Sequence, residues 1–449
     1  MGDLPWRYRR RAKGETGTLD RIPGPGYVLP FGVGLDVMKK WPWELSEDLA
    51  ERWGGLAMIW VGSSPMVFVQ EPELIESVLV RGDVERRVFK ASPLPAFAPA
   101  TPKNTSSFTE NGKDHAYARQ ISPGVHPAFG SWLEESSVRL VDFAAREASE
   151  KLTTGGKDLA ARLERLVFDA FCTVLVGERL DDGAYRDFLT VFKSVNFRMK
   201  TGLPVVGFGF RRARERWWEN FTRRAEHSDD NPGLISRTAK GARNTKRNFA
   251  ITVANMFPAG AFSVASALTN TLVLVARHPE VERELRAAIG GHDGAHDARS
   301  LAEIEPLERV IRESLRLEPP VPLFLRRVGA ECLELGDHVI PAGTDLAIGT
   351  RPIHRGPSYW EDPLSFRPER WDAETRSDHE YGSARFFPFG RGVRSCEGQP
   401  LALMVLRALS FGLLSRHVLR AEGEGLSPQR FFLGVMMPTD LEGALVPHD

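Results

Sequence analysis

The sequence predicts one large domain that is mainly α-helical and carries small β-sheets. Apolar residues recur at three- and four-residue spacing through much of the chain after residue 131, as on the buried face of helices. Residues 249–276 form an uncharged run of 28 positions, which suits a helix through the centre of a large core. Short apolar segments separated by turns follow residue 320, and neither a repeat nor a linker divides the 449 residues.

The elements of the N-terminal region follow from its turn-forming residues and its apolar runs. Residues 1–21 are polar, so we expect a flexible N-terminal segment, and the prolines and glycines of 22–32 predict a stiff extended stretch. Two apolar runs, 56–62 and 66–70, predict a strand pair. Pro72 then favours the start of a helix, because proline suits the first helical position.

The segments after residue 90 are assigned in the same way. Proline, serine and threonine make 91–111 a predicted loop. Residues 131–152 and 158–177 show the helical spacing of apolar side chains. Ser300 and Glu303 have the spacing of a capping box, which predicts that Ser300 caps the start of a helix.

The composition bears on location and on the kind of partner. Lys+Arg and Asp+Glu both total 59, so no net charge draws the chain to nucleic acid or to an anionic membrane. The cysteines, Cys172, Cys332 and Cys396, are few and far apart, which favours a reducing compartment, and we expect a cytoplasmic protein. No apolar stretch follows the basic N-terminus, so neither a secretory signal nor a membrane anchor is expected. Only 12 of the 59 basic residues are lysine, which suggests a GC-rich bacterial source.

The uncharged run 249–276 is also long enough to cross a bilayer. Asn255, Pro258 and Asn270 interrupt it with polar or helix-breaking groups, and no second apolar span accompanies it. Two interpretations follow from hydropathy alone. One is a membrane helix, and the other is a helix buried on all sides in a soluble core.

The strongest chemical signal is a glycine-rich loop around Cys396. Gly392 and Gly398 allow the tight turns that can aim backbone N–H groups at a sulfur atom. The helical pattern that follows would place the sulfur at a positive helix N-terminus. A thiolate stabilised in this way can ligate a metal, and Arg394 can meet a carboxylate of a cofactor. The alternative is a buried structural cysteine.

This loop resembles the haem-binding loop of the cytochrome P450 family. Five positions match the pattern F-x-x-G-x-R-x-C-x-G: Phe389, Gly392, Arg394, Cys396 and Gly398. The resemblance implies a single haem domain of cytochrome P450 fold over 22–449, with haem b as cofactor and Cys396 as the axial ligand to iron. It also implies that the uncharged run is the buried central helix of that fold.

A second motif agrees with this resemblance. Glu313 and Arg316 have the i, i+3 spacing that puts both side chains on one helical face, which in most proteins is an exposed salt bridge. In the family this pair joins an arginine of a P-E-R-F/W segment in a buried triad, which implies Arg370 here. The triad would be structural and would hold the fold that carries the cysteine loop.

The resemblance further implies cationic partners for the two haem propionates. In the family, a histidine four residues before an arginine binds them, which corresponds to His115 and Arg119 here. Arg326 matches a third partner. Charge-assisted hydrogen bonds of this kind are strong.

The central helix departs from the family pattern A/G-G-x-acid-Thr. Ala259 and Gly260 match it and would let oxygen approach the backbone closely. Phe262 occupies the acid position and Ser263 the threonine position. In the family, the acid and the alcohol relay protons for oxygen activation. Serine can still donate a hydrogen bond, but phenylalanine cannot carry a proton.

An apolar and aromatic pocket is expected at the haem, with 188–210 as its lid. Such a pocket suits a mid-sized hydrophobic or aromatic substrate, and we expect one from bacterial secondary metabolism. The predicted lining consists of Phe97, Phe257, Phe262, Val321, Leu323, Phe324, Val435 and Met436.

The implied reaction is hydroxylation, or a related oxidative tailoring, with O2 as oxidant. The sequence has no flavin or iron–sulfur motif, so we expect electrons from a separate ferredoxin or flavoprotein reductase. Phe262 favours one alternative, a non-standard haem-thiolate catalyst that uses peroxide or performs isomerisation, dehydration or coupling. The other alternative is a haem-binding sensor without catalysis.

The remaining histidines give weaker signals. His292 and His296 could bind a metal, but they lie in a glycine-rich segment between helices, where a solvated turn is the better interpretation. His354 lies in a segment that has a structural role in the family.

Overall fold

A computed structural model defines how these elements are arranged. It describes residues 19–26, 39–62, 64–83, 88–90, 129–201, 203, 206–226, 233–235, 246–292, 296–372, 380–422 and 429–448. Within the predicted N-terminal segment, Leu19–Arg21 form a 3-10 turn with Leu19 buried. The predicted loop 91–111 and the residues Phe97, His115 and Arg119 lie outside the described residues.

The structure confirms the helices that the spacing of apolar residues predicts. In chain order they are α1 (Pro42–Trp53), α2 (Pro72–Glu76), α3 (Phe129–Glu147), α4 (Leu159–Phe171), α5 (Asp182–Thr201), α6 (Phe210–Glu226), α7 (Lys246–Ala276), α8 (Pro279–Gly290), α9 (Ala298–Ala302), α10 (Glu305–Leu317), α11 (Arg351–His354) and α12 (Gln399–Leu414). Three of them continue as π-helical turns: Ser77–Gly82 after α2, Ala148–Leu152 after α3 and Cys172–Val176 after α4.

The strands form one mixed sheet and three antiparallel pairs. In chain order they are β1 (Leu56–Val61), β2 (Ser64–Val69), β3 (Val88–Lys90), β4 (Leu323–Val328), β5 (Leu333–Leu335), β6 (His338–Ile340), β7 (Asp345–Gly349), β8 (His417–Ala421), β9 (Gln429–Phe432), β10 (Val435–Pro438) and β11 (Gly443–Pro447). The mixed sheet has the order β1-β2-β7-β4-β3, in which β2 and β7 are parallel and the other neighbours are antiparallel. The pairs are β5–β6, β8–β11 and β9–β10. The predicted strand pair is therefore confirmed as β1 and β2.

The uncharged run forms α7, which packs against α4, α6, α10, α12 and β10. Within the described part of the chain, one segment is long and apolar enough to cross a membrane, namely Phe257–Ala276 of this helix. In the fold, 78% of the corresponding window is buried, including Leu268 and Leu272. This burial agrees with the interpretation of a helix inside a core, whose side chains are apolar on several faces because other elements surround it.

Pro258 lies inside α7, where it lacks the N–H that a helix residue donates to the carbonyl four positions earlier. That carbonyl belongs to Ala254, and the indole Nε1 of Trp217 on α6 donates to it over 3.2 Å. Trp217 is fully buried. A neighbouring helix therefore supplies the donor that proline removes.

The capping box predicted at Ser300 and Glu303 is wrong. Helix α9 begins at Ala298, and its N-cap is Asp297, whose carboxylate accepts a hydrogen bond from the backbone N–H of Ser300 over 2.8 Å. Glu303 flanks the other end of this short helix. Aspartate and serine both cap helices well, so the spacing alone could not choose between them.

Candidate active site

Cys396 ends a loop that leads directly into α12. Its backbone N–H donates to the carbonyl of Phe389 over 2.8 Å, which closes the loop. Because α12 starts three residues later, the thiol lies near the positive end of the helix dipole, which favours a thiolate. Cys396 is exposed, whereas Cys332 is partly buried and Cys172 is fully buried. Burial raises the pKa of the Cys172 thiol well above its ordinary value, which makes that thiol a poor ligand.

The geometry of the loop explains two of its glycines. Gly392 has a φ of +69°, and a Cβ there would lie 2.2 Å from the carbonyl oxygen of Leu79 on the π-helical turn after α2. Gly390 has a φ of +74°, and a Cβ there would lie 3.5 Å from the ring of Phe324 on β4. The loop is therefore held between the π-helical turn and β4, and its backbone is in a conformation that favours glycine.

The remaining matched positions precede and follow Cys396 in the chain. Gly398 precedes α12, and a Cβ added there would lie 3.8 Å from Cys396 Sγ. Arg394 is partly buried and ends the 3-10 turn Gly392–Arg394. The ring of Phe389 meets Tyr381 edge to face, with 5.5 Å between ring centroids.

Glu313, Arg316 and Arg370 form a buried triad. Glu313 and Arg316 make a bidentate pair on α10, with N···O distances of 2.8 Å for both bonds and no exposed side-chain surface. Arg370, in the 3-10 turn Pro368–Trp371, donates from Nε to Glu313 Oε1 over 2.9 Å. The i, i+3 pair is therefore not the exposed salt bridge that its spacing alone would suggest.

Two groups that the motif did not indicate complete the hydrogen bonds of the Glu313 carboxylate. The indole Nε1 of Trp371 and the backbone N–H of Arg367 each donate to it over 2.9 Å. Arg316 in turn donates to the carbonyl of His354 over 2.7 Å. A buried ion pair is stable only when its other polar atoms are satisfied, and these contacts satisfy them. The tryptophan of the P-E-R-W segment was the signal for one of the two donors.

His354 connects the triad to the cysteine loop. While its carbonyl binds Arg316, its ring Nε2 accepts a hydrogen bond from the backbone N–H of Phe387 over 3.0 Å, two residues before the loop begins. Burial, together with the charge of Arg316, lowers the pKa of His354 to about 3. The ring is therefore neutral and can accept. This contact gives His354 the structural role that its segment predicts.

A second buried network joins α10 to both ends of the cysteine loop. Glu308 accepts from Arg312 Nε over 2.9 Å and from Arg407 Nη2 over 2.7 Å, and Arg407 lies on α12, the helix after the loop. Arg312 lies over the ring of Tyr381, with Cζ 4.2 Å from the centroid, and Tyr381 contacts Phe389 at the start of the loop. No sequence motif pointed to these residues.

On α7, Ala259 and Ser263 share one face. Ala259 is exposed and Ser263, one turn later, is partly exposed. The Ser263 hydroxyl donates to the carbonyl of Ala259 over 2.6 Å and lies 3.2 Å from that of Gly260. The expected reason for Gly260 was close approach of oxygen. The structure shows a packing reason, because a Cβ there would lie 2.6 Å from the ring of Phe171 on α4.

Phe262 and Phe257 point into an aromatic core, and each is only 1% exposed. Phe262 stacks on Phe188 of α5, with centroids 5.1 Å apart, and meets Phe432 of β9 edge to face at 4.8 Å. Phe257 contacts Phe188 at 5.6 Å and Trp217 at 5.2 Å. The residue at the family's acid position therefore anchors α5 and β9, and Phe257 belongs to the same core rather than to the exposed face of α7.

Of the three predicted propionate partners, the described residues include Arg326. Its guanidinium is buried and donates to the carboxylate of Asp83 from Nε, 3.2 Å from Oδ1, and from Nη2, 3.1 Å from Oδ2. The cationic group thus has a counter-charge that the motif did not indicate. The propionate contacts of Arg326, His115 and Arg119 stay predictions.

The predicted pocket residues near β4 and β10 lie on segments that adjoin each other. Five of them are at the start of β4 and of β10: Val321, Leu323, Phe324, Val435 and Met436. The backbone N–H of Met436 donates to the carbonyl oxygen of Pro320 over 2.8 Å, and this hydrogen bond joins the two segments. Ser266 of α7 donates to the carbonyl of Met436 over 2.5 Å. Val321, Leu323 and Phe324 are partly exposed, whereas Val435 and Met436 are buried.

The predicted lid, 188–210, comprises most of α5 and its connection to α6. Its start is anchored, because Phe188 is buried and the Asn196 side chain accepts a hydrogen bond from the backbone N–H of Leu433 in the β9–β10 turn over 3.0 Å. Its end exposes apolar side chains: Phe197, Leu203, Val206 and Phe208. The predicted opening and closing of this segment stays a prediction.

These residues fit the haem group that the loop motif implies. Cys396 supplies an exposed sulfur on a loop held in place by glycine contacts, as an axial thiolate requires. Ala259 and Ser263 give α7 a face of small side chains, which leaves room for a small molecule beside the helix. Among the described residues, no group of three or more His, Cys, Asp or Glu side chains is arranged to hold a metal ion, His292 and His296 included. A single protein sulfur suits a metal whose other ligands belong to a cofactor.

Comparisons with known proteins agree with this assignment. The family model described as "Cytochrome P450" matches residues 22–232 and 219–442. "Cytochrome P450 734A5" of Oryza sativa subsp. japonica is 26% identical over 491 residues, covering 92% of this chain and 88% of that protein. "Geranylhydroquinone 3''-hydroxylase CYP76B74" of Arnebia euchroma is 24% identical over 447 residues, covering 91% and 89%. "Cytochrome P450 4d2" of Drosophila melanogaster is 36% identical over 189 residues, an alignment that spans 41% of this chain and 37% of the insect protein.

Solved structures show the same fold. The haem domain of cytochrome P450DA has a TM-score of 0.79 at 18% identity, covering 95% of this chain and 97% of that chain. A mutant of the same haem domain has a TM-score of 0.81, covering 95% and 98%. The predicted fold class is therefore confirmed. The three relatives come from two plants and an insect, and the bacterial source stays a prediction.

Proposed function

Because this chain belongs to the cytochrome P450 family, a family of haem-thiolate monooxygenases, we propose that it transfers oxygen from O2 to a mid-sized hydrophobic or aromatic substrate. The observation that carries this proposal is the exposed Cys396 thiol at the start of α12, on a loop that glycine contacts hold in one conformation. Haem bound through this thiolate would supply the oxygen-activating redox chemistry.

The residues around the loop hold the sulfur in place. The backbone N–H of Cys396 donates a hydrogen bond to the carbonyl of Phe389, and the helix dipole of α12 stabilises the thiolate form. The buried Glu313 carboxylate joins α10 to the segment around Arg370, while His354 bonds the backbone at Phe387. Rigid support of this kind keeps a metal ligand within the small range of positions that its bond requires.

Proton supply at α7 would depend on Ser263. A hydroxyl can donate and accept at once, so Ser263 can pass a proton from water on the exposed face of the helix. The Phe262 ring carries no proton and is packed into the aromatic core. The second relay group would then be ordered water or a polar group of the substrate.

The chemistry of the pocket walls supports an apolar substrate. Phe324 leaves part of its surface exposed beside Gly390 of the cysteine loop, and the neighbouring predicted pocket residues Val321, Leu323 and Val435 are apolar as well. Apolar walls with a few polar groups are typical of sites for hydrophobic small molecules. A metabolite of bacterial secondary metabolism is our specific proposal.

The electron donor would be a separate ferredoxin or flavoprotein reductase. A donor with acidic groups on its surface would be attracted to arginines on the cysteine side of the domain. A cytoplasmic location is part of the same proposal, since three cysteines that lie far apart in the chain suit a reducing compartment.

A non-standard haem-thiolate reaction is the second candidate, and the burial of Phe262 favours it. With an aromatic anchor at the family's acid position, this helix lacks the carboxylate at that position of the proton relay. A reaction that uses peroxide, or an isomerisation, dehydration or coupling, does not need the same proton supply.

Two measurements distinguish these candidates. A titration of the ferric protein with hydrophobic and aromatic metabolites, followed by the change of haem spin state, identifies the class of ligand. Turnover of a ligand found in this way is then compared with O2 plus a surrogate ferredoxin and reductase, with hydrogen peroxide, and with neither. Product that needs O2 and electrons supports the monooxygenase. Product with peroxide alone, or with no oxidant, supports the second candidate, and binding without product supports a sensor.

A further inference from the structure

Asp83 and Arg326 form a buried ion pair. Arg326 Nε and Nη2 donate to the two carboxylate oxygens over 3.2 and 3.1 Å, and the side chains are 5% and 0% exposed for arginine and aspartate respectively. Arg326 Nη1 donates to the carbonyl of Leu325 over 3.1 Å. These contacts use three of the five N–H groups of the guanidinium and fix its plane.

The pair is carried by two elements that both contact the cysteine loop. Arg326 and Phe324 project from the same face of β4, since side chains two positions apart in a strand share a face, and Phe324 lies against Gly390 of the loop. Asp83 directly follows the π-helical turn against which Gly392 packs. The loop that presents Cys396 is thus held by the same two elements that bring Asp83 and Arg326 together.

We propose that Asp83 is a positioning residue that holds Arg326 and offsets its positive charge beside the haem that Cys396 binds. This inference rests on the proposed haem binding and goes beyond it. Ferrous haem carries one more negative charge than ferric haem, so a nearby positive charge favours the reduced form, most strongly where little water screens it. By offsetting that charge, Asp83 keeps the iron reduction potential lower than Arg326 alone would set it.

The neighbouring residue of β4 provides a matched control. Arg327 forms the same kind of bidentate pair with Asp345 of β7, with N···O distances of 2.7 and 3.0 Å. This pair points to the other face of β4, and the Arg327 side chain is 57% exposed. Removal of its carboxylate changes the charge of the protein by the same amount, but at a hydrated site on the opposite face.

The test compares Asp83→Asn with Asp345→Asn in the haem-loaded and haem-free full-length protein. For Asp83→Asn we expect a positive shift of the ferric/ferrous midpoint potential and a melting temperature that falls more in the haem-free than in the haem-loaded protein, because haem carboxylates then become the partner of Arg326. Asp345→Asn should leave the potential and the stabilisation by haem unchanged. The double variant Asp83→Asn with Arg326→Gln removes both charges and should bring the potential back towards the wild-type value.

An unchanged potential in Asp83→Asn, with equal losses of melting temperature in the haem-free and haem-loaded forms, would show that the pair is only structural and would overturn the proposal. Should Asp83→Asn not fold, two other variants test the proposal. Arg326→Gln removes the positive charge instead of the negative one and must shift the midpoint potential negatively. Asp83→Glu keeps the negative charge and must leave the midpoint potential unchanged. A wild-type protein that shows no haem absorbance with added haem would instead contradict the proposed function, so the two failures are distinguishable.

Discussion

The indole N–H of Trp217 donates to the carbonyl oxygen of Ala254 over 3.2 Å, and this carbonyl is the one that Pro258 leaves without a helical donor. Proline inside a helix normally leaves such a carbonyl unpaired and destabilises the helix. Here α6 packs against α7 and places a fully buried donor at the gap. A hydrogen bond between two helices thus replaces the one that Pro258 removes within α7, directly before the exposed residue Ala259.

The first prediction tests this bond. Trp217→Phe keeps an aromatic ring but removes the N–H, and we expect the free energy of unfolding to fall by about 1–3 kcal/mol, the usual cost of an unsatisfied buried polar group. Denaturant unfolding of the apoprotein measures the change. Pro258→Ala restores the backbone donor to Ala254, so Trp217→Phe should cost less in that background. Equal costs in both backgrounds would show that the lost ring volume, and not the hydrogen bond, explains the effect.

The second prediction concerns the axial ligand. Cys396→Ser should abolish the red-shifted absorbance band of the ferrous–CO complex that thiolate ligation produces. Cys332→Ser is the control, since Cys332 is partly buried and lies on a different segment, and it should leave the band unchanged. A normal band in Cys396→Ser would place the ligand elsewhere in the chain.

The third prediction concerns the triad. Glu313→Gln leaves Arg316 and Arg370 buried without their shared carboxylate, and breaking a buried pair in this way typically costs about 3–5 kcal/mol. We expect protein with low haem content and a lowered melting temperature. Glu303→Gln is the matched control, because Glu303 pairs with Arg299 on the exposed surface and such pairs are worth at most about 1 kcal/mol. Equal stability of the two variants would contradict the role of the triad.

The fourth prediction is a pH dependence that comes from His354. Its pKa is about 3 in the folded protein and that of an ordinary histidine, 6.5, when unfolded. Below pH 6.5 the unfolded chain therefore binds a proton that the folded protein does not bind. The contribution of His354 to the free energy of unfolding is therefore fully present above pH 6.5. It decreases as the pH falls towards 3, by roughly 1.4 kcal/mol per pH unit at most. His354→Asn should be less stable at pH 7 and lose less stability between pH 6.5 and 4.5. If His354→Asn lost as much stability as the wild type between pH 6.5 and 4.5, groups other than His354 would cause the pH dependence.

The fifth prediction concerns proton supply at α7. Ser263→Ala should lower the product formed per electron consumed and raise the release of peroxide, since general acid help of this type is typically worth about 10²–10⁴-fold. With a substrate whose own hydroxyl supplies the proton path, the effect should be small, and it should become large with an analogue that lacks this hydroxyl. Full coupling in Ser263→Ala with every substrate would exclude a relay through this helix and favour the second candidate function.

The substitution Phe262→Glu gives a further check on the same point. It restores an acid to the family position, but the structure places this side chain between Phe188 and Phe432. A carboxylate buried there without a partner is costly, so we expect a lower melting temperature of the apoprotein, whether or not the coupling of oxygen to product improves.

The sequence by itself determined the parts of this protein that depend on residue type at a fixed spacing. The cysteine loop, the Glu313–Arg316 pair and the uncharged run are each visible in the sequence because each is a continuous segment or a short spacing. Their roles as haem loop, buried triad and central helix were implied by the resemblance to the cytochrome P450 family. The strand pair at 56–70 and the helices between 131 and 177 followed from periodicity for the same reason.

The tertiary structure alone decided which distant groups meet. Asp83 lies 243 positions from Arg326, and Glu308 lies 99 positions from Arg407, so no local pattern could pair them. The resemblance to the family assigned Phe262 to the acid position, but only the packing of α5 and β9 shows that its ring points into the core. The physical reason is that burial and ion pairing depend on distance in space, whereas a sequence records distance along the chain.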